Sequence, residues 1–89
     1  MSPQALALQL RVDVRRILSS FPAGRGVSAE WLTQHINDSK PYVVTKELVE
    51  VALVWNQTAR GWCDYQVNQL TEVQEWSLTD KGRKQEGLV

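Results

Sequence analysis

The sequence predicts an α+β fold that is mainly helical, with a three-helix core, a C-terminal β-hairpin and a short final helical turn. Two observations carry this prediction. Between residues 4 and 60, apolar residues recur at helical spacing in three segments parted by breaker clusters. From Arg60 to Gly82 (R-G-W-C-D-Y-Q-V-N-Q-L-T-E-V-Q-E-W-S-L-T-D-K-G) the pattern changes to strand, turn and strand, followed by a helix start. The 89 residues suit one domain, 1–89, with its core between about 4 and 83 and the stretch 84–89 expected to fray.

The first helix is expected over 4–20. At 100° per residue, Leu6, Leu10, Val14, Ile17, Leu18 and Phe21 gather on one core-facing stripe, and Asp13, Arg15 and Arg16 fall outside it. Leu8 and Val12 lie on the far side, one turn apart, and are the candidate contact with a second copy in a homodimer. The run Phe21-Pro22-Ala23-Gly24-Arg25-Gly26 breaks the helix, and Val27 can form a strand of one or two residues. Ser28 is the expected cap of a second helix, Ala29–Ile36, with Leu32 and Ile36 facing the core and Trp31 and His35 paired one turn apart.

After the turn cluster Asn37-Asp38-Ser39-Lys40-Pro41 a third helix begins, either at Pro41 or after a cap at Thr45, and ends near Arg60-Gly61. Its expected core stripe is Val44, Leu48, Val51, Ala52 and Trp55. Its expected outer face is Lys46, Glu47, Glu50, Leu53, Val54, Gln57 and Thr58. The valines at 49, 51 and 54 favour a strand, but the length of the segment and its terminal glycine favour a helix. In the hairpin, Trp62–Asn68 is the first strand and Val73–Leu78 the second. Thr79 is suited to cap a last helix starting at Asp80.

The four tryptophans, Trp31, Trp55, Trp62 and Trp76, are expected in the core. Ten basic and ten acidic residues give a net charge of zero, which disfavours nucleic-acid binding by bulk charge. The charges are sorted, however: residues 1–27 carry a net +3 and residues 46–79 a net −3. The single cysteine, Cys63, rules out an internal disulfide and suits a reducing compartment. The N-terminal stretch lacks a basic lead and meets Arg11 and Asp13 early, so neither a signal peptide nor a membrane span is expected, and the cytoplasm is the expected location.

No enzyme is expected. Gly24-Arg25-Gly26 lacks the lysine and strand of a phosphate-binding loop. One histidine, His35, and one cysteine have no carboxylate at metal-ligand spacing, so no metal or cofactor is expected. Cys63 on a strand reads as a small packing residue.

The order helix, short strand, helix, helix, strand, strand, helix start is that of the winged helix. The segment Trp76-Ser77-Leu78-Thr79-Asp80-Lys81-Gly82-Arg83 resembles the aromatic-x-L-T-x-x-G segment that leaves the wing in MarR- and PadR-type bacterial transcriptional regulators. The resemblance runs over roughly Ser28 to Arg83 and includes Gly61-Trp62 at the start of the first wing strand. It implies a small bacterial or phage-type regulator of transcription that binds double-stranded DNA, with the third helix in the major groove and the wing on the backbone. Carried over by position, the base-reading candidates are Lys40, Tyr42, Thr45, Lys46 and Gln57. The backbone candidates are Asn68 and Gln69 of the wing turn, with Arg25.

The sequence departs from that pattern in its charge. Glu47 and Glu50 stand on the third helix, and the wing turn offers Asn68, Gln69, Thr71 and Glu72 in place of arginine or lysine. Carboxylates near phosphates cost affinity and release no counterions. The alternative is a winged helix used for protein contact, warranted by the acidic face and by the apolar residues Leu8, Val12, Leu53 and Val54 left over on two helices. Of the two readings, DNA binding leads.

Overall fold

The computed structural model describes residues 1–88. Its elements are α1 (Pro3–Leu18), β1 (Val27–Ser28), α2 (Ala29–Ser39), α3 (Lys46–Trp55), a π-helical turn (Asn56–Arg60), β2 (Cys63–Val67), β3 (Gln74–Leu78) and α4 (Asp80–Gln85). The fold is α+β and mainly helical, with a three-stranded antiparallel sheet in the order β1-β3-β2.

Each helix begins where a hydroxyl can serve a free amide. Ser2, Ser28, Thr45 and Thr79 accept from Ala5, Trp31, Leu48 and Gly82 respectively. Thr45, and not Pro41, therefore starts α3. The segment is helical, as its length and terminal glycine indicated, and the strand favoured by Val49, Val51 and Val54 does not form.

The end of α3 is unusual. The chain widens into the π-helical turn, and Gly61 closes it in the left-handed region at φ 66°. The Trp62 amide then donates to the Asn56 carbonyl, 2.9 Å away. β2 leaves from this point and pairs with β3 in the register Cys63↔Leu78 and Tyr65↔Trp76. In the hairpin turn, Asn68 Oδ1 accepts from the amides of Leu70 and Thr71. Two-residue β1 adds to the other side of β3, with Val27 opposite Trp76.

The core lies between α1, α2, α3 and the inner face of the sheet. Leu10, Val14, Leu32, Ile36, Val49, Leu53, Cys63 and Trp76 are its most enclosed apolar residues. The α1 stripe falls as its periodicity predicts, but Asp13 and Arg15, expected outside it, are buried on its two flanks. Each has a partner that no helical spacing could reveal. Asp13 accepts from Gln9 and from the Tyr42 hydroxyl. Arg15 Nη1 donates to Asn56 Oδ1 at 3.1 Å.

The predicted orientation of α3 is wrong by about a quarter turn. Val49, Ala52, Leu53 and Asn56 form the buried stripe, whereas Leu48 and Val51, expected in the core, are 41% and 63% exposed. Asn56 decides the outcome. This fully enclosed amide donates to the carbonyls of Arg11 and Ala52 and accepts from Arg15, so all its partners lie inside.

Three of the four tryptophans also depart from expectation. Only Trp76 is buried; Trp31 is 41% exposed and stacks on His35, and Trp55 and Trp62 are half-buried beneath arginine side chains.

The last helix is pinned by Gly82, not only by its cap. A Cβ at this position would stand 2.0 Å from the Trp62 carbonyl oxygen, so α4 lies directly on the β2 entry. Beyond Arg83, residues 84–88 make contacts with the rest of the fold. α4 continues to Gln85, the Leu88 amide donates to the Arg83 carbonyl, and Glu86 reaches Arg15 at 3.7 Å. Val89 lies outside the described residues.

Candidate interaction surface

The outward face of α3 and the neighbouring hairpin carry several exposed side chains. Glu47, Val51 and Val54 point away from the buried stripe of α3, with Glu50 beside them. Between the start of α3, the start of α2 and the hairpin lies a groove of about 350 Å³, lined by Ser28, Glu30, Lys46, Glu50, Glu72 and Trp76 among others. Three carboxylates face one ammonium there, so the groove carries negative potential. On the far side of β1 a second, more open groove of about 420 Å³ is walled by Phe21, Arg25, Trp31, Thr71, Val73 and Glu75.

The eight DNA-contact candidates divide into two groups. In four, the side chain is engaged within the fold. The Tyr42 hydroxyl donates to the Asp13 carboxylate. Burial, then that bond, holds the phenol well above its ordinary range. The Thr45 hydroxyl caps α3. The Gln57 amide donates to Asp64 Oδ1 at 2.9 Å, and that same carboxylate oxygen accepts from the Tyr65 backbone amide at 2.8 Å. Asn68 folds the hairpin turn. The other four, Arg25, Lys40, Lys46 and Gln69, have no side-chain hydrogen bond or ion pair among the described residues. The Arg25 guanidinium lies 5.9 Å from the Phe21 ring centre. Lys46 lines the acidic groove. Of the two homodimer candidates, Leu8 is exposed and Val12 half-buried.

Sequence reasoning missed a cluster of arginine and tryptophan on α1, the π-helical turn and the entry to β2. The Arg11 guanidinium lies 4.3 Å from the Trp55 ring centre, and that of Arg15 4.4 Å from the Trp62 ring centre. Arg60 is within 5.6 Å of both rings, which meet edge to face at 6.2 Å. The Arg15 Nε is buried without a hydrogen-bond acceptor. Local spacing alone could not have found this cluster, because it joins Arg11 and Arg15 of α1 to Trp55, Arg60 and Trp62, at least 40 residues on, where Asn56 also bonds to α1.

Cys63 is buried against the core. Burial pushes its thiol up to about 12, so it is protonated and unreactive at neutral pH. Among the described residues no group of three or more His, Cys, Asp or Glu side chains could hold a metal ion, and no helix is long and apolar enough to cross a membrane.

Comparison with protein-family models, with curated proteins and with solved structures finds no match to this chain.

Proposed function

We propose that the chain is a winged-helix module that works by protein contact, docking a partner on the outward face of α3 and the adjoining hairpin. The observation that carries this is chemical: Val51 and Val54 are exposed on α3, each one turn after Glu47 and Glu50 respectively, next to a groove lined by Glu30, Glu50, Glu72 and Lys46. An apolar strip flanked by carboxylates matches a partner surface that is apolar at its centre and basic at its rim. It is ill suited to lie against phosphates. The β-hairpin after α3, and the L-T-x-x-G segment at its exit, support the winged-helix reading. Leu8 and Val12 on α1 remain the proposed contact for a second copy of the chain.

A second reading, a small DNA-binding regulator of transcription, is favoured by the free side chains of Arg25, Lys40, Lys46 and Gln69 around the start of α3 and the hairpin. In this reading α3 enters the major groove and the hairpin meets the backbone.

Two measurements separate the readings. A photo-crosslinking residue at Val51 should trap a partner chain in cells of the source organism, and Val51→Glu with Val54→Glu should abolish that product when the crosslinker sits at Leu48. An amide-shift titration with a mixed-sequence duplex at low salt should leave residues 40–50 unmoved. Shifts confined to residues 40–50, the 22–26 loop and 68–72, fading as salt rises, would establish the DNA reading instead.

A further inference from the structure

The positive charge of this molecule is concentrated away from α3's outward face, and it is held in a particular way. Arg11 and Arg60 lie on the faces of Trp55 and Trp62, and neither guanidinium has a hydrogen bond or an ion pair among the described residues. Arg15 lies buried on Trp62, with Glu86 3.7 Å away as the one carboxylate paired with the cluster among the described residues. The Lys81 side chain passes over Gly61, beside Arg60, and adds a further exposed cation. α1, the π-helical turn and α4 thus bring three accessible cations and two half-buried indoles together.

We infer that this ridge binds the phosphodiester backbone of a nucleic-acid strand. Stacking on an indole fixes the plane of a guanidinium and leaves its N–H fork directed outward, the geometry that recognises phosphate oxygens. Several cations on separate elements suit an anion that repeats along a strand better than a single carboxylate. Glu47, Glu50 and Glu72 belong to the α3 and hairpin surface, so the ridge collects phosphates without setting those carboxylates against them. The cations that carry it, Arg11, Arg60 and Lys81, lie on α1, the π-helical turn and α4, so replacing them tests the ridge apart from the protein-docking proposal, although Trp55 closes α3 one turn beyond Val51.

The test uses the full chain with two fluorescein-labelled 20-mers, one duplex and one single strand, followed by anisotropy from low to moderate salt. The Trp55 and Trp62 indole N–H signals are followed by NMR in the same titrations. Binding of at least one oligonucleotide at low salt is expected, with both indole signals shifted. Arg11→Ala with Arg60→Ala should weaken it at least tenfold and reduce the slope of log affinity against log salt by about two. Lys40→Ala with Lys46→Ala should leave it within twofold. The relative affinity of the two 20-mers identifies the preferred strand form. Should the double alanine variant lose its urea transition, the single exposed change Arg60→Glu takes its place, with the same tenfold expectation. No binding of either 20-mer at low salt overturns the inference. So does loss of binding in the Lys40/Lys46 variant but not the Arg11/Arg60 variant, or equal competition by a polyglutamate peptide of matched charge.

Discussion

Replacing Gly82 with alanine sets two effects of opposite sign against each other. Within a helix, alanine is favoured over glycine by about 1 kcal/mol, so propensity alone predicts a more stable protein. The position of α4 predicts the reverse. The new Cβ would stand 2.0 Å from the Trp62 carbonyl oxygen and 2.8 Å from its carbon, both backbone atoms that cannot swing aside. Ordinary contact requires α4 to retreat by more than an ångström. That retreat stretches two bonds that tie α4 to the entry of β2: Thr79 amide to the Trp62 carbonyl (3.0 Å) and Thr79 hydroxyl to the Gly61 carbonyl (2.6 Å). Losing both costs about 2 kcal/mol, and overpacking adds about 1–3 kcal/mol. After the propensity gain the net loss is about 2–4 kcal/mol. Urea unfolding followed by tryptophan fluorescence measures it directly. With a slope of about 1 kcal/mol per molar, usual at the small end of the size range, the midpoint should fall by about 2 M or more at unchanged slope. A midpoint equal to or above that of the parent protein would refute the close-approach argument and leave propensity in control.

Other perturbations follow from the same contacts. Asn56→Ala leaves the Arg11 and Ala52 carbonyls and Arg15 Nη1 short of a partner; urea unfolding should show a loss of about 2–4 kcal/mol, and a loss under 1 kcal/mol contradicts the buried network. Tyr42→Phe removes one of the two partners of the buried Asp13 carboxylate and should cost about 1–3 kcal/mol at pH 7, with an unchanged urea midpoint as the adverse result. Burial raises the Cys63 thiol from 9.0 to about 12 in the folded chain, so the unfolded chain loses its proton first. Stability should therefore be intact below about pH 9 and fall towards pH 12, by up to about 1.4 kcal/mol per pH unit from this group. Tyr42 acts in the same direction above about pH 10. Urea midpoints compared between pH 8 and 10 should show a smaller fall in Cys63→Ala than in the parent. Leu8→Glu with Val12→Glu should convert a dimer to a monomer in sedimentation velocity, and identical sedimentation of the two proteins removes the α1 interface.

Much of the chain path was legible because its punctuation is local. A hydroxyl before an apolar run, or a glycine after one, acts within a single turn of backbone. Ser28, Thr79 and Gly61 could therefore be assigned from their neighbours alone, and Thr45 could be kept as one of two choices. The orientation of α3 was not legible, because it depends on a polar residue. Apolar counting leaves Asn56 out of the core stripe, and it is the Arg11 carbonyl and the Arg15 guanidinium, 45 and 41 residues away, that join the nearby Ala52 carbonyl in making its burial favourable. The tryptophans misled for a related reason. An indole can be half-covered by a stacked guanidinium as well as by the core, and composition does not distinguish the two. For the candidate surface, sequence identified the acids on α3 and the lack of cations in the hairpin turn. It also listed Tyr42, Gln57 and Asn68 as DNA contacts; the partner of Tyr42, Asp13, lies across the fold, whereas Gln57 and Asn68 are engaged close by, with Asp64 and with the Leu70 and Thr71 amides.

The bond from Asp64 to the neighbouring Tyr65 amide bears on how copies of this protein avoid one another. β2 is flanked by β3 on one side only, and its other side is an open sheet edge. Trp62 and Asn68 hydrogen-bond across to β3, so by alternation Cys63, Tyr65 and Val67 turn their backbone groups to that edge. With Tyr65 and Val67 exposed, such an edge is a template for a strand from another chain, the first step towards β-aggregation. The Asp64 carboxylate occupies the central donor of the three, and Gln57 holds it in place. An invading strand must first break that bond and then lie against a carboxylate it cannot pair with.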